Sequence, residues 1–195
     1  MKKFIKRAFD LVCVFFASIV FSPFFILVYI AIKMEDGGPA IFRQERIGYK
    51  GKPFMLYKFR SMKVDAEKGG KPQLWAGDED VRLTKVGRFI REHHLDELPQ
   101  FWNIIKGDMS FVGYRPERQY FIDKIMAENP DYAKLYAMRP GVFSNATLYN
   151  GYTDTMEKML KRLDMDLEYL EHHNLWTDIV IIFKTGVSIL TGKKF

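Results

Sequence analysis

The chain has 195 residues, 48% apolar and 28% charged, which excludes a disordered tail, a collagen-like fibre and a disulfide mini-domain, and fits one compact domain. A single cysteine, Cys13, excludes an intramolecular disulfide framework and a cysteine-rich zinc site. Lys plus Arg number 30 against 24 Asp plus Glu, and the net charge of +6 suits a negatively charged partner: nucleic acid, anionic lipid or a phosphorylated small molecule.

In chain order, the first element is the uncharged apolar run from Leu11 to Ile32. About 20 such residues are enough to cross a bilayer as a helix. A cleaved signal peptide fits poorly, because the run is too long and no small-x-small cleavage site follows it. Lys2, Lys3, Lys6 and Arg7 precede the run, and Lys33, Arg43 and Arg46 follow it. Basic flanks stay cytoplasmic, so a simple span puts one of them on the wrong side. Ser22-Pro23 sits mid-run, where proline removes a backbone donor and kinks a helix. The serine hydroxyl can serve the freed backbone groups. The expected element is a kinked re-entrant membrane helix over residues 1–36, entering and leaving by one face. An ordinary kinked transmembrane helix is the alternative, since prolines are common in spans.

Residues 37–195 read as mostly α with a small β-hairpin. Two β-rich stretches flank the turn-like Gly48-Tyr49-Lys50-Gly51-Lys52. By the period of two, Phe54, Leu56, Lys58 and Arg60 share a face. Residues from Lys63 to Asp80 are polar and glycine-bearing and read as a mobile loop. A helix is expected over Thr84 to Arg91. Leu98, Phe101, Trp102 and Ile105 keep helical spacing, and Gly107 closes that element. Met156, Met159, Leu160, Leu163, Leu167 and Leu170 form one apolar stripe, with Glu157, Lys158, Lys161, Arg162 and Glu168 elsewhere on that helix and the Asp164-Met165-Asp166 pair on a solvated face. Leu175, Ile179, Ile182, Phe183 and Leu190 form another. With Trp176 and the terminal Lys193 and Lys194, this last helix reads as amphipathic and interfacial.

No P-loop, GxGxxG, HExxH or GxSxG is present. Asp78-Glu79-Asp80 is an acidic triplet better read as a solvated loop than a metal site. The His93-His94 and His172-His173 doublets lack the (i, i+4) spacing of a metal pair and read as surface or half-buried residues. The stronger candidate is His94-Leu95-Asp96-Glu97-Leu98-Pro99. Proline is tolerated in a first helical turn, so Pro99 places a helix start near Asp96. A helix start attracts anions and keeps a carboxylate ionised. An ionised Asp there is a candidate nucleophile if a divalent cation screens its repulsion from phosphate. The bland alternative is an ordinary N-cap. Arg88 and Arg91 lie just upstream. Arg115 and Arg139 each precede a proline, which restricts their backbones. Such arginines suit bidentate phosphate recognition, although surface ion pairing is their commoner fate.

The stretches IFRQERIGYKGKPFMLYKFRSM and LTKVGRFIREHHLDELPQFWNIIKGDMSFVGYRPE, with the later Arg139-Pro140-Gly141, resemble the bacterial sugar transferase family. Its members are monotopic phosphoglycosyl transferases, also called polyprenyl-phosphate hexose-1-phosphate transferases. The likeness covers nearly the whole chain and suits the minimal catalytic form. It implies transfer of a phosphosugar from a UDP-sugar to polyprenyl (undecaprenyl) phosphate, releasing UMP, with Mg²⁺ required. It also implies a bacterial cytoplasmic membrane location, with the catalytic domain on the cytoplasmic face of the phospholipid bilayer. The resemblance assigns Asp96 as the nucleophile that forms a covalent phosphosugar intermediate. Glu97 becomes its partner, with both carboxylates as candidate Mg²⁺ ligands. Lys58, Arg60, Arg88, Arg115 and Arg139 match basic positions that would hold phosphates. Two departures leave the sugar open: Tyr114 stands where many members have proline, and residues 142–151 replace a Trp-Ala-Gln-rich segment. There Tyr149 or Phe143 could stack on uracil or sugar, or pack in the core. A membrane phosphohydrolase and a non-enzymatic scaffold are the competing readings. Nucleic acid is not expected as a partner, since no binding module is recognised. A homodimer is left open.

Overall fold

The computed structural model describes residues 3–66, 80–151 and 153–191. Lys2, most of the expected loop over 63–80, Asp78 and Glu79 of the acidic triplet, Lys193 and Lys194, and the side chain of Leu190 lie outside the described residues.

The described chain is mostly helical. The first element, α1 (Lys3–Asp36), is long and apolar enough to cross a membrane by length and composition. Pro23 lies inside it. Proline has no N–H to offer the carbonyl four residues back. That carbonyl belongs to Ile19, and the Ser22 hydroxyl donates to it at 2.9 Å. The serine thus does the work expected of it, within one continuous helical assignment.

A hairpin follows, β1 (Ile41–Ile47) paired antiparallel with β2 (Pro53–Phe59), so that Ile41 faces Phe59 and Ile47 faces Pro53. Next comes α2 (Lys85–Glu92), capped by the Thr84 hydroxyl, which accepts from the Gly87 N–H. Any side chain at Gly87 would meet the Ser61 carbonyl oxygen at 1.9 Å, so α2 lies directly on the chain leaving β2. Then comes α3 (Gln100–Lys106), closed by Gly107 in the left-handed conformation (φ 88°), as its sequence predicts. The apolar spacing there does not define the buried side. Trp102 and Ile105 are exposed, while Asn103 and Ile104 are fully buried. Asn103 is accommodated because its side-chain amide serves β2 like a neighbouring strand: it donates to the Met55 carbonyl at 2.7 Å and accepts from the Tyr57 N–H at 3.1 Å.

A second strand pair was not expected. β3 (Ser110–Val112) runs parallel to β4 (Gly141–Phe143). A Cβ on Gly141 would fall 2.0 Å from the Gly113 nitrogen, so the third residue of Arg139-Pro140-Gly141 must be glycine. Between the two strands lies α4 (Gln119–Glu128), followed by a 3-10 segment, Pro130–Ala137. The chain ends with α5 (Asn145–Asn150), α6 (Met156–His172) and α7 (Leu175–Leu190). Ile122, Ile125, Leu135 and Leu163 form one core cluster. Leu56, Ile104, Met109 and Phe111 form another, joined by Val14 of α1.

Along its whole length, α1 rests on this body. Arg7 donates to the Ile104 and Ile105 carbonyls, and buried Asp10 accepts from Ser110 and from the Phe111 N–H. The Phe25 ring lies 4.7 Å from Phe59, and Asp36 pairs with Arg60. The other face of α1 exposes Phe15, Phe16, Val20, Leu27 and Ile30. In α7 the inward face is mixed: Ile181 is buried together with Asp178, Thr185 and Ser188, while Trp176, Ile179, Phe183 and Val187 are exposed.

Candidate active site

Asp96 and Glu97 occupy a 3-10 turn, Leu95–Glu97, between α2 and α3. His94 opens the turn at φ 54°, a conformation uncommon outside glycine. Leu98 (φ −52°) and Pro99 (φ −63°) keep the right-handed path into α3. A helical start near Asp96 is therefore correct, although it is divided into a 3-10 turn and a separate α-helix.

Asp96 is 5% exposed. From β2, Lys58 brings its Nζ to 2.6 Å from Glu97 Oε1 and 3.6 Å from Asp96 Oδ2. From the chain after β3, Arg115 brings Nη2 to 3.1 Å from the same Glu97 oxygen. Burial pushes the Glu97 carboxyl up, but Lys58, Arg115 and His94 outweigh it and hold its pKa below the ordinary value. Burial lowers the His94 pKa, with Glu97 and Asp96 opposing. Two adjacent carboxylates thus stand beside two fixed cations, with Glu97 ionised.

The dyad opens onto a cavity of about 970 Å³. Arg46, Arg91, Arg118 and Arg162 also line it. Glu117 accepts from Arg46 at 2.9 Å and from Arg162 at 2.6 Å. Burial raises the Glu117 pKa, and Arg162, Arg46 and Arg115 more than reverse this. Among the described residues, basic side chains outnumber the three lining carboxylates Asp96, Glu97 and Glu117 around the cavity, which favours an anionic guest.

The expected basic residues divide. Lys58 and Arg115 reach the dyad. Arg60 also lines the cavity, but its Nε donates to the Pro39 carbonyl at 2.7 Å and its Nη1 to Asp36 at 2.6 Å, which ties the end of α1 to β2. Arg88 sits on the exposed side of α2, while Arg91 of that helix lines the cavity. Arg139 turns away to donate to the Gly107 carbonyl at 2.8 Å, with its guanidinium 5.3 Å from the Tyr49 ring centre.

Arg46, Glu117 and Arg162 escaped the sequence reading. Arg162 is buried, and so is Asp166, which corrects the assignment of Asp166 to a solvated face; Asp164 is exposed as expected. Asp166 accepts from Ser144 Oγ at 3.1 Å and from the Arg115 backbone N–H. In the divergent 142–151 segment, Phe143 packs edge-on against Phe111 and lines the cavity. Tyr149 is exposed and takes a hydrogen bond from Lys184 at 2.7 Å.

Residues 1–192 match the family described as "Bacterial sugar transferase". The chain belongs to the bacterial sugar transferase family. It is 40% identical over 189 residues to the UDP-N-acetylgalactosamine-undecaprenyl-phosphate N-acetylgalactosaminephosphotransferase of Aeromonas hydrophila, covering 97% of this chain and 44% of that protein. It is 39% identical over 188 residues to the UDP-glucose:undecaprenyl-phosphate glucose-1-phosphate transferase of Caulobacter vibrioides, covering 95% of this chain and 70% of that protein. The Escherichia coli protein of the same description is 40% identical over 187 residues, 95% of this chain and 40% of that protein. The chain thus spans less than half the length of two of these three bacterial sugar transferase relatives.

The donor set also bears on the metal that the family resemblance implies. Magnesium binds through one or two carboxylates and completes its shell with water and substrate phosphates. Asp96 and Glu97 supply that number of carboxylates. Among the described residues, no third His, Cys, Asp or Glu joins them in a cluster. The residues therefore fit a magnesium ion shared with a bound diphosphate better than a closed protein cage.

Proposed function

We propose that this chain moves a phosphosugar from a UDP-sugar to undecaprenyl phosphate at the cytoplasmic face of the bacterial inner membrane, as the first membrane step of glycoconjugate assembly. The observation that carries the reading is the buried Asp96 beside Glu97, with Lys58 and Arg115 fixed on Glu97 and an arginine-rich cavity in front. Phosphoryl transfer needs positioning and neutralisation of charge more than elaborate chemistry, and this set supplies both. The names of the three relatives point to the same reaction class.

The residues divide the work as follows. An Asp96 carboxylate oxygen attacks the sugar-bearing phosphorus of the donor. The bond from that phosphorus to the bridging oxygen breaks, and UMP leaves with the electron pair. A phosphate oxygen of the polyprenyl acceptor then attacks the same phosphorus. Asp96 is released as carboxylate and polyprenyl-diphosphate sugar is formed. Lys58 and Arg115 keep Glu97 ionised and offset charge building on the transferring group. Asp96 and Glu97 would hold Mg²⁺, which when bound would supply positive charge that offsets the repulsion between Asp96 and the donor phosphates.

Residues 1–36 are read as the membrane element and 37–195 as the catalytic part. Support comes from the contacts of both ends of α1 with one body, and from basic residues on both flanks of its apolar run. The outward apolar face of α7 suits the headgroup layer.

The test is a panel of UDP-sugars offered with Mg²⁺, first without acceptor and then with undecaprenyl phosphate. With donor alone, one equivalent of UMP is expected, together with a phosphosugar mass on the Asp96 peptide. Asp96→Asn loses both while keeping its fold. Normal product from that variant overturns the covalent route. Free sugar phosphate without lipid-linked product favours a phosphohydrolase instead.

A further inference from the structure

The cavity in front of the dyad extends past the charged residues. Its far part runs between α1 and α7. On α1, Cys13, Ala17 and Phe21 line it, each four residues from the next. On α7, Ile182, Gly186 and Ile189 line it. Spacings of three and four put each set along one stripe of its helix. Phe101, Phe111 and Val142 also contribute apolar wall.

At one end the two helices are clasped: Lys6 Nζ of α1 lies 2.9 Å from the buried Asp178 carboxylate of α7. Ala17 lies eleven residues beyond Lys6, and Ile189 eleven residues beyond Asp178. Both distances correspond to about 16 Å of helix. Away from the clasp, a Cβ placed on Gly186 would meet nothing within 4 Å. The space beside Gly186 is therefore open, although the residue lies within a helix where glycine costs roughly 1 kcal/mol relative to alanine.

One continuous cavity thus has an anion-attracting end at Lys58, Arg115 and the dyad, and an apolar end between α1 and α7. That polarity fits an amphiphile with a phosphate head and a linear hydrocarbon tail. We infer that the α1–α7 corridor holds the first isoprenoid units of the polyprenyl acceptor, with Gly186 leaving the room they occupy. This rests on the acceptor reading above, to which it adds a place for the tail. The phosphate-binding end sits beside a single apolar stretch, so the proposal commits to a one-chain polyprenyl phosphate, with a two-chain phospholipid as the competitor in the test.

The experiment uses the full chain in detergent with a polyprenyl phosphate bearing a diazirine near its head group, in the absence of donor. Photolabelling, mapped to single residues, is expected at Cys13, Ala17 and Phe21 of α1 and at Ile182, Gly186 and Ile189 of α7. Excess undecaprenyl phosphate should displace it, and phosphatidylglycerol should not. Labels confined to the outward residues Phe16, Val20 and Phe183, or equal displacement by phosphatidylglycerol, overturn the corridor. Gly186→Phe fills the open space. It should lower corridor labelling and reduce kcat/KM for undecaprenyl phosphate by about tenfold or more, the scale on which apolar pockets discriminate size. Unchanged labelling and unchanged kcat/KM for undecaprenyl phosphate in a folded variant overturn the proposal. Corridor labelling in a protein that turns over no UDP-sugar supports the lipid site and defeats the transferase reading, so the two fail separately.

Discussion

Lys58 and Glu97 are 39 residues apart in sequence and 2.6 Å apart in space. The contact couples a strand residue to the second carboxylate of the dyad, and leaves the same ammonium 3.6 Å from Asp96. Lys58 is therefore the residue through which the hairpin sets the electrostatics of the turn.

Lys58→Ala tests that role. Removing a fixed donor beside a reacting group typically costs about 10²–10³-fold in rate. The sign of the pH effect also follows. Lys58 is the largest of the influences holding Glu97 below its ordinary pKa, against the upward push of burial. Without it, burial acts less opposed and Glu97 takes up a proton at higher pH. The acidic limb of the kcat/KM profile should therefore move to higher pH in the variant. An unmoved acidic limb would show that ionised Glu97 is not required.

Asp166 supports a prediction about stability. Burial raises its carboxyl from the ordinary 3.8 to about 7, against Arg162, the Ser144 hydroxyl and the Arg115 N–H. The folded state then holds a proton that the unfolded chain releases, so stability falls as pH rises from about 4 to about 7. Glu117 faces the same region with a lowered pKa, and its contribution is lost in the opposite direction, as pH falls. Asp166→Asn removes only the first effect. Its melting temperature relative to the parent should climb between pH 5 and pH 7. Parallel melting curves across that range would refute the assignment.

Asn103→Leu keeps the volume and removes the amide that joins α3 to β2. The Tyr57 N–H and the Met55 carbonyl lose their partner, the fully buried Asn103 side chain. Each orphaned buried group costs about 1–3 kcal/mol. For a domain of this size, a fall of roughly 5 °C or more in melting temperature is expected by calorimetry. Transfer should also weaken, because Lys58 sits on the strand that Asn103 holds.

What could be read from sequence follows the range of the forces involved. The elements α1, α2, α6, α7 and the hairpin each carry a local period or a turn signal, and each formed. The β3–β4 pair has strands of three residues joined across about thirty, so no local pattern announces it. The dyad was legible because Pro99 marks its turn. Arg60 and Arg139 were legible as basic residues, but their partners Asp36 and Gly107 lie 24 and 32 residues away. Asp166 was misplaced because an apolar stripe was taken as the only buried side of α6. The opposite face also packs, against Glu117 and Ser144, through paired charge and hydrogen bonds.

The last prediction concerns topology. From Phe4 to Met34, α1 is about 45 Å long at 1.5 Å per residue, more than the roughly 30 Å of a bilayer's hydrocarbon core. Standing upright, the helix would separate its ends across the membrane. Yet Arg7 binds α3 carbonyls, Asp36 binds Arg60 at the end of β2, and Asn103 fastens α3 to β2. If α1 is the membrane element, one body cannot occupy both sides, and the prediction is that both ends of α1 lie on one face with its exposed apolar side toward lipid. Phe4→Cys and Met34→Cys, each made with Cys13→Ala, probe exposed positions at the two ends. In intact cells, a membrane-impermeant maleimide should label neither, and after lysis it should label both. Labelling of one end alone in intact cells would establish a spanning helix and overturn the shared face.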